Sequence, residues 1–198
     1  MSTGAEQNPY LAVEDYLAGE AASEIRHEYI DGRVYAMTGT SRTHGLIVNA
    51  LAFSLTPAAR RAGCQLFTSD MKVRLEIADQ TLFYYPDLLL SCDTTDREPY
   101  FRRFPCLIVE VLSESTERID RREKLLAYQT LPSLREYLLV AQDRARVELF
   151  RRVNDWKVER HESGELWLDC VSAAVALAEI YADVDWLERP PRGDAAAP

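Results

Sequence analysis

The chain has 198 residues, a formal net charge of −9 and a sequence pI of about 4.9, with 47% hydrophobic and 28% charged residues. This length and composition fit one soluble globular domain, and no apolar stretch approaches the roughly 20 residues that a membrane-spanning helix needs. The acidic balance argues against non-specific binding of nucleic acid, which normally needs a basic face, but it leaves room for a local basic cleft.

The first half of the sequence predicts two helices and several strands. In chain order the elements are a short amphipathic helix at 11–18, a β-hairpin at 28–35, a long helix from about 43 to 61 and a strand at 64–77. Asp31-Gly32 supplies the positive φ angles of a two-residue hairpin turn. Ser41 or Thr43 can cap the long helix. The strand alternates in polarity, so we expect Lys72 and its polar neighbours to form a face in contact with solvent.

The second half predicts a mixture of strands and one longer helix. The elements are strands near 83–91 and 106–112 with a loop at 93–103 between them, a helix from about 115 to 131, a strand at 135–141, a hairpin at 146–152 and 155–162, and a strand or turn followed by a short helix within 166–187. The core order indicates a mixed α/β sandwich rather than alternating βαβ units. We expect a single domain over residues 1–188 and a disordered Pro/Ala-rich tail at 189–198.

Cysteine and histidine usage argues against a structural zinc site. The cysteines are scattered and form no C-x-x-C pair, and the three histidines are scattered too. The cysteines are Cys64, Cys92, Cys106 and Cys170. Cys106 lies inside an apolar run and is expected to pack as a small hydrophobic residue. The N-terminus lacks a basic start followed by a hydrophobic stretch, so the sequence predicts a reduced, cytoplasmic protein.

One acid interrupts an apolar strand. Glu110 lies within the β-branched run 106–112, which is typical of a strand that is buried on both faces. A carboxylate there is costly unless a cation or hydrogen-bond donors compensate it. Asp87 stands at the entrance of the preceding strand, after Pro86. If the two strands pair, both carboxylates can ligate a Mg²⁺ ion (or Mn²⁺); otherwise Asp87 caps a turn and Glu110 pairs with a buried arginine.

The order of elements and the two acids resemble the PD-(D/E)xK nuclease superfamily. Its signature is Pro-Asp on the second core strand and Glu-x-Lys on the third. Pro86-Asp87 matches the first half and Glu110 begins the second, but Leu112 stands where the lysine is expected. The resemblance implies an α/β (mixed α+β) fold with a restriction-endonuclease-like αβββαβ core, an N-terminal β-hairpin and additional C-terminal strands.

Within that superfamily the chain is similar to the Uma family of putative restriction endonucleases over roughly residues 10–160. The matching stretches are His27–Val34, Ser41-x-x-His44, Tyr85–Leu90, Leu107–Thr116, Asp120-x-x-x-Lys124-x-x-x-Tyr128 and Arg135–Val140. Each stretch is a weak signal alone, and together they are specific. Glu114 stands where the family often has proline, which is a small departure.

In the Uma-type pattern the catalytic lysine lies on the helix after the third strand, which implies this role for Lys124. Asp120, Lys124 and Tyr128 are spaced four apart and therefore share one helix face. The alternative is an ordinary ion pair between Asp120 and Lys124, worth roughly 0.2–0.5 kcal/mol. Lys72 is the rival lysine, because the polar face of its strand could border the same cleft.

Three further residues are candidates for accessory roles. His44 begins the long helix and either packs there or lies near the metal or substrate. Glu28, beside the hairpin turn, is either a third acid of the site or a surface acid. Tyr128 is either a core aromatic or a hydroxyl that supports Lys124 or Glu110.

The resemblance implies a metal-dependent endonuclease that hydrolyses DNA phosphodiester bonds, with Asp87 and Glu110 as ligands of Mg²⁺ or Mn²⁺. It also implies a homodimer, because many nucleases of this superfamily cut both strands as dimers. Two alternatives remain open from the sequence. One is a non-catalytic binding or scaffold module that retains the fold, which the acidic charge and the absent strand lysine favour. The other is hydrolysis of a different phosphate ester.

Overall fold

The computed structural model describes residues 10–113 and 116–185. The helices are α1 (Val13–Ala22), α2 (Arg42–Arg61), α3 (Glu117–Ile119), α4 (Leu125–Gln129) and α5 (Leu177–Ile180), with a π-helical turn at Asp120–Lys124 and a 3₁₀ turn at Arg152–Asn154. The strands are β1 (His27–Ile30), β2 (Arg33–Ala36), β3 (Gln65–Thr68), β4 (Lys72–Ile77), β5 (Gln80–Tyr84), β6 (Leu88–Ser91), β7 (Phe101–Arg102), β8 (Pro105–Val111), β9 (Glu136–Val140), β10 (Val147–Arg151), β11 (Val158–His161), β12 (Glu165–Leu168) and β13 (Ala173–Ala176).

The central sheet has six strands in the order β11-β10-β9-β8-β6-β3. Strands β3, β6 and β8 are antiparallel neighbours, whereas β8 and β9 run parallel and are connected through α3, the π-helical turn and α4. In chain order, α2, β3, β6, β8, this helical connection and β9 form an αβββαβ core. The predicted fold class is therefore confirmed, with the hairpin β1–β2 before the core and strands β10 to β13 after β9.

A second sheet of five strands has the order β2-β1-β5-β4-β7. Between β3 and β8 the chain passes between the two sheets four times, from β3 to β4, from β5 to β6, from β6 to β7 and from β7 to β8. The prediction of one continuous strand at 64–77 is therefore wrong, because a bend at Ser69, with a φ of 55°, separates two strands that belong to different sheets. The predicted strand at 83–91 divides in the same way at Tyr85-Pro86-Asp87. The predicted loop at 93–103 contains β7.

The bend also changes the environment of Lys72. The sequence pattern predicts that Lys72 lies on a strand face in contact with solvent. In the structure Lys72 is buried, with only 5% of the residue exposed. Its ammonium donates a hydrogen bond to the hydroxyl of Tyr85 at 3.1 Å. Lys72 is at the first position of β4, directly after the chain crosses from β3 to β4. Its ammonium lies against Tyr85, in the segment that crosses from β5 to β6.

The hydrophobic core has two layers, one on each side of the six-stranded sheet. On one side, Ile47, Leu51 and Leu55 of α2 pack against alternate residues of the sheet, including Leu90 and Leu107. On the other side, the helix α4 and strands β4 and β5 pack against the remaining residues of the central strands, including Leu89, Ile108 and Leu139. The strand β8 is buried along its whole length. Both faces of the central strands are therefore apolar, as the β-branched composition of 106–112 predicts.

The local signals near the N-terminus are confirmed. The Asp31-Gly32 turn joins β1 and β2 with φ angles of 43° and 84°. The Ser41 hydroxyl accepts a hydrogen bond from the backbone N–H of His44 at 3.1 Å and caps α2, which continues through Pro57 without ending. Residues 189–198 lie outside the described part of the chain. None of the described helices is long and apolar enough to cross a membrane.

The expectation of reduced cysteines is wrong for this structure. The fold brings all four cysteines together, in two disulfide bonds, Cys64–Cys92 and Cys106–Cys170. Their scattered sequence positions hide this proximity, because each cysteine comes from a different segment that ends or begins at the same edge of the fold.

The hairpin turn gives a direct test of the backbone assignment. A Cβ at position 32 would occupy a left-handed conformation and approach the ring of Tyr10 to 2.3 Å. We expect Gly32→Ala to lower the free energy of unfolding by about 1–2 kcal/mol, as measured by urea denaturation. Gly19→Ala in α1 is the matched control, because no atom lies within 4 Å of the added methyl and alanine is the better helix former, so this variant should gain about 0.5–1 kcal/mol. Equal losses in both variants would contradict the turn assignment.

Candidate active site

Glu110 is the buried acid around which the site is built. It is only 3% exposed, near the carboxyl end of β8, on the face that packs against α4. Its Oε1 accepts hydrogen bonds from the Lys124 ammonium at 3.2 Å and from the Tyr128 hydroxyl at 3.0 Å. Glu110 therefore pairs with a lysine. The buried arginine that the sequence analysis considered as its partner is not the cation beside this carboxylate.

Asp87 reaches the same end of the sheet from the neighbouring strand. It immediately precedes β6, whose Leu88 lies opposite Val109 of β8. The Asp87 Oδ2 accepts a hydrogen bond from the backbone N–H of Val111 at 2.7 Å and lies 3.1 Å from the Nε2 of His44. The first turn of α2 therefore orients Asp87, since His44 lies at the third position of that helix.

Lys124 is nearly surrounded by carboxylates. Its Nζ lies 2.9 Å from Glu28 Oε1, 3.2 Å from Glu110 Oε1 and 3.5 Å from Asp120 Oδ1. Glu28 belongs to β1 of the second sheet, so the lysine links both sheets to the helical connection. The i,i+4 ion pair with Asp120 is formed, and Lys124 also contacts Glu110. The catalytic role of Lys124 stays a prediction.

The helical connection is not the regular α-helix that the sequence predicts. Residues Asp120–Lys124 form a π-helical turn, in which the wider hydrogen-bond pattern brings both ends of the turn into buried positions. Single π-helical turns within α-helices often occur at functional sites. The carbonyl oxygen of Asp120 accepts a hydrogen bond from the Tyr137 hydroxyl at 3.1 Å, which fixes the turn to β9.

The burial of these groups shifts their pKa values strongly. Desolvation raises the pKa of Glu110 well above its usual range, and the Lys124 ammonium opposes this shift only in part. Desolvation also raises the pKa of Asp120. Burial alone would lower the pKa of Lys124, but the Glu110, Glu28 and Asp120 carboxylates together raise it well above its usual value. Lys124 is therefore charged, and its one ammonium is shared by three carboxyl groups.

These residues line one cavity of about 840 Å³. The cavity opens between the β1–β2 hairpin, the start of α2 and the helical connection. The catalytic and accessory candidates from the sequence that line it are Glu28, His44, Asp87, Glu110 and Lys124. Tyr128, the remaining candidate, contacts Glu110 from the core side. Tyr35 and Met37, which the sequence did not single out, lie at the cavity and are 48% and 36% exposed.

The rival lysine belongs to a separate polar network. Lys72 donates to the Tyr85 hydroxyl, which in turn donates to Glu20 Oε1 at 2.9 Å. Glu20 also accepts a hydrogen bond from the backbone N–H of His27 at 2.9 Å. Lys72 therefore contacts neither Asp87 nor Glu110 among the described interactions. No sequence pattern pointed to Glu20, because it lies on α1, a helix with acidic residues that is typical of the protein surface.

Comparison with known proteins identifies the family. The sequence matches the Uma2 family, described as "Putative restriction endonuclease", over residues 13–178. This chain belongs to the Uma2 family. An uncharacterized protein of Synechocystis sp., slr1290, is 34% identical over 177 residues, which cover 87% of this chain and 92% of that protein. A second uncharacterized Synechocystis protein, sll1609, is 33% identical over 148 residues, or 73% of this chain and 82% of that protein.

A solved structure is similar in fold. The crystal structure of a putative nuclease belonging to DUF820 from Anabaena variabilis superposes with a TM-score of 0.69 at 14% sequence identity, covering 89% of this chain and 99% of that chain. At this level of identity the likeness concerns the fold alone. It agrees with the αβββαβ core of the Uma2 chain and with the resemblance that the sequence motifs imply.

The donor set of the Uma2 site fits a hard divalent cation. Both described contacts of Asp87 use Oδ2, and both described contacts of Glu110 use Oε1, so one oxygen of each carboxylate remains for a ligand role. The Oδ1 of Asp120 is buried, and its described contact is the ion pair with Lys124 at 3.5 Å. Carboxylate oxygens are the ligands that Mg²⁺ and Mn²⁺ prefer, and a divalent cation would remove much of the excess negative charge.

The buried carboxyl of Asp120 gives a pH-dependent test of the electrostatics. Because burial raises its pKa above 3.8, the folded state binds this proton more tightly than the unfolded state does. Stability is therefore lost as the pH rises from about 3.8 through the raised folded pKa. Asp120→Asn removes this loss. We expect its free energy of unfolding, relative to the wild type, to increase with pH across that window in urea titrations.

The matched control for this prediction is Glu123→Gln, an exposed carboxylate on the same π-helical turn. Because this side chain is exposed, the substitution should change the free energy of unfolding by no more than about 0.5 kcal/mol in the same titrations. If Asp120→Asn instead became less stable than the wild type as the pH rose, the ion pair with Lys124 would outweigh the burial of Asp120, and the account of the charge balance would be wrong.

Proposed function

We propose that this protein is a metal-dependent endonuclease that hydrolyses phosphodiester bonds in DNA. One observation carries the proposal. Two carboxylates from neighbouring strands, Asp87 and Glu110, and a buried lysine from the following helix line a single cavity. Membership of a family described as "Putative restriction endonuclease" supports a nuclease, and the metal, the substrate and the role of each residue belong to the proposal.

Asp87 and Glu110 bind the metal ion in this proposal. The Val111 N–H and the His44 ring both contact the Oδ2 of Asp87. These two contacts fix the orientation of the carboxylate and leave its Oδ1 for the metal. Glu110 is held through Oε1 by Lys124 and Tyr128. When bound, Mg²⁺ or Mn²⁺ supplies Lewis-acid polarisation of a phosphate oxygen and lowers the pKa of a bound water.

Lys124 orients the attacking water and balances charge on the phosphate as it accumulates in the transition state. Its ammonium is already charged, so it acts as a hydrogen-bond donor and electrostatic group rather than as a base. Glu28 and Asp120 keep it charged and in position. His44 and Tyr128 are positioning residues, since each holds one of the two acids.

The rim of the cavity favours a polynucleotide over a small phosphate ester. Tyr35 and Met37 are exposed beside the site, at the hairpin and just after it. Nucleobases stack on exposed aromatic side chains, with a contribution of about 1–3 kcal/mol per base. A cavity of about 840 Å³ is also larger than the reacting phosphate requires, so it has room for flanking nucleotides. The homodimer and the cytoplasmic location remain predictions from the sequence and its family resemblance.

Plasmid cleavage tests the proposal. The wild type should nick or linearise plasmid DNA with Mg²⁺ or Mn²⁺, and a chelator should stop the reaction. Lys124→Met should lower the cleavage rate by about 10²–10³-fold, the usual cost of one transition-state donor. Lys157→Met, at an exposed lysine immediately before β11 that does not line the cavity, is the control and should keep the wild-type rate.

Circular dichroism melting should accompany these assays, so that rates are compared only where each variant is folded. Folded wild type that cleaves no DNA, RNA or small phosphodiester with either metal would reject the nuclease proposal and leave the non-catalytic binding module. Cleavage of small phosphodiesters only would reject DNA as the substrate. Equal rates for Lys124→Met and the wild type would remove Lys124 from the reaction.

A further inference from the structure

The four cysteines form a second site, remote from the acids. Cys64 follows α2, Cys92 follows β6, Cys106 is the second residue of β8, and Cys170 lies between β12 and β13. Four separate segments of the chain therefore converge on one point. No other group of at least three cysteine, histidine or acidic side chains in the described part of the chain has its ligand atoms this close together.

The spacing of the sulfur atoms suits one shared ion. The sulfurs of Cys92, Cys106 and Cys170 lie within 4.8 Å of one another. The sulfur of Cys64 lies outside this group and joins it through its bond to Cys92. The sulfurs of Cys92 and Cys106, which belong to different disulfides, are 3.3 Å apart. In a tetrahedral site with Zn–S bonds of about 2.3 Å, the sulfurs are separated by roughly 3.8 Å. To reach this spacing, both disulfides must be broken and the sulfurs of each bonded pair must move apart by about 2 Å.

The surroundings of the sulfurs also fit a structural metal site. Cys64, Cys106 and Cys170 are buried, with 7–8% of each residue exposed. Cys92 is half-buried, which gives a metal ion and a reductant access to the cluster. Four cysteine ligands and no open position are typical of structural zinc rather than catalytic zinc, and soft thiolates select Zn²⁺ over Mg²⁺ or Mn²⁺.

We propose that the reduced protein binds one Zn²⁺ through Cys64, Cys92, Cys106 and Cys170, and that the two disulfides are the oxidised, metal-free form of this site. In the conversion, two molecules of a dithiol reductant each transfer two electrons and two protons to one disulfide and are themselves oxidised to disulfides. Four thiols result. Binding of Zn²⁺ as a tetrathiolate then releases four protons.

The position of this site gives it a structural role in relation to the acids. Asp87 and Cys92 flank opposite ends of β6, and Glu110 and Cys106 lie toward opposite ends of β8. Along a strand the four residues from Cys106 to Glu110 span about 13 Å. A zinc ion shared by Cys92 and Cys106 would join the two acid-bearing strands at the end away from the candidate active site, whereas the disulfides join Cys92 to Cys64 and Cys106 to Cys170. The tether also attaches the C-terminal segment through Cys170.

Cobalt substitution tests the proposal. The full chain is reduced with a phosphine under anaerobic conditions and titrated with Co²⁺. We expect one Co²⁺ per chain with the intense near-ultraviolet absorption of sulfur-to-cobalt charge transfer, and stoichiometric loss of this absorption on addition of Zn²⁺. The oxidised wild type, which has no thiols, should show no such band. This comparison uses one sequence in two redox states and does not depend on a variant that folds.

Two variants separate this site from the acidic one. Cys92→Ser should weaken the charge-transfer band and lower the affinity for Co²⁺, because only three thiolates remain, whereas Asp87→Asn should keep the band with the same intensity and stoichiometry. A reduced, folded wild type without the band would overturn the proposal. So would a band that is unchanged in Cys92→Ser and weakened in Asp87→Asn. Neither outcome bears on DNA cleavage, so the zinc site and the nuclease proposal stand or fall separately.

Discussion

The structure depends on how the carboxylate of Glu110 is compensated inside the sheet. Glu110 lies on a strand whose seven residues are all buried, so its charge must be balanced locally. Lys124 and Tyr128 provide this balance from the helical connection, and Lys124 joins that connection to Glu28 of the second sheet. Removing one partner of a buried ion pair typically costs about 3–5 kcal/mol. The same contacts therefore hold the layers together and organise the candidate site.

The excess of carboxylates is the property that links stability to function. Three of them contact Lys124, and Asp87 is held nearby by His44 and the Val111 N–H. Burial raises the pKa of Glu110, which means that ionising this buried carboxyl group costs free energy in the absence of a metal cation. A divalent cation relieves this cost. Natural proteins tolerate such local strain mainly where function requires it, which supports the assignment of this cavity as the active site.

The sequence predicted the αβββαβ order and the convergence of the acids, because these features follow from local patterns. Glu110 stands out since a charge interrupts a β-branched run, and Pro86-Asp87 precedes the strand that pairs with it. Lys124 could be found only through the family resemblance. From spacing alone, its pair with Asp120 is indistinguishable from an ordinary surface ion pair.

Other features could not be predicted, for physical reasons. A strand that bends from one sheet into another keeps its alternation of polar and apolar residues, so the pattern at 64–77 concealed the crossing at Ser69 and the burial of Lys72. The π-helical turn changes hydrogen bonding without changing composition. The cysteine cluster depends on contacts between distant segments of the chain. Cys106 and Cys170, which form one disulfide, are 64 positions apart, and no local sequence pattern detects such a contact.

Anomalous diffraction from crystals of the wild type grown with Mn²⁺ tests the proposed metal site most directly. We expect a manganese peak in the cavity, within about 2.5 Å of one oxygen of Asp87 and one oxygen of Glu110. The Lys124 ammonium should remain beside Glu110, close enough to contact a water bound to the metal. A well-occupied peak elsewhere, or a cavity that stays empty at saturating Mn²⁺, would contradict the assignment of these two acids as the metal site.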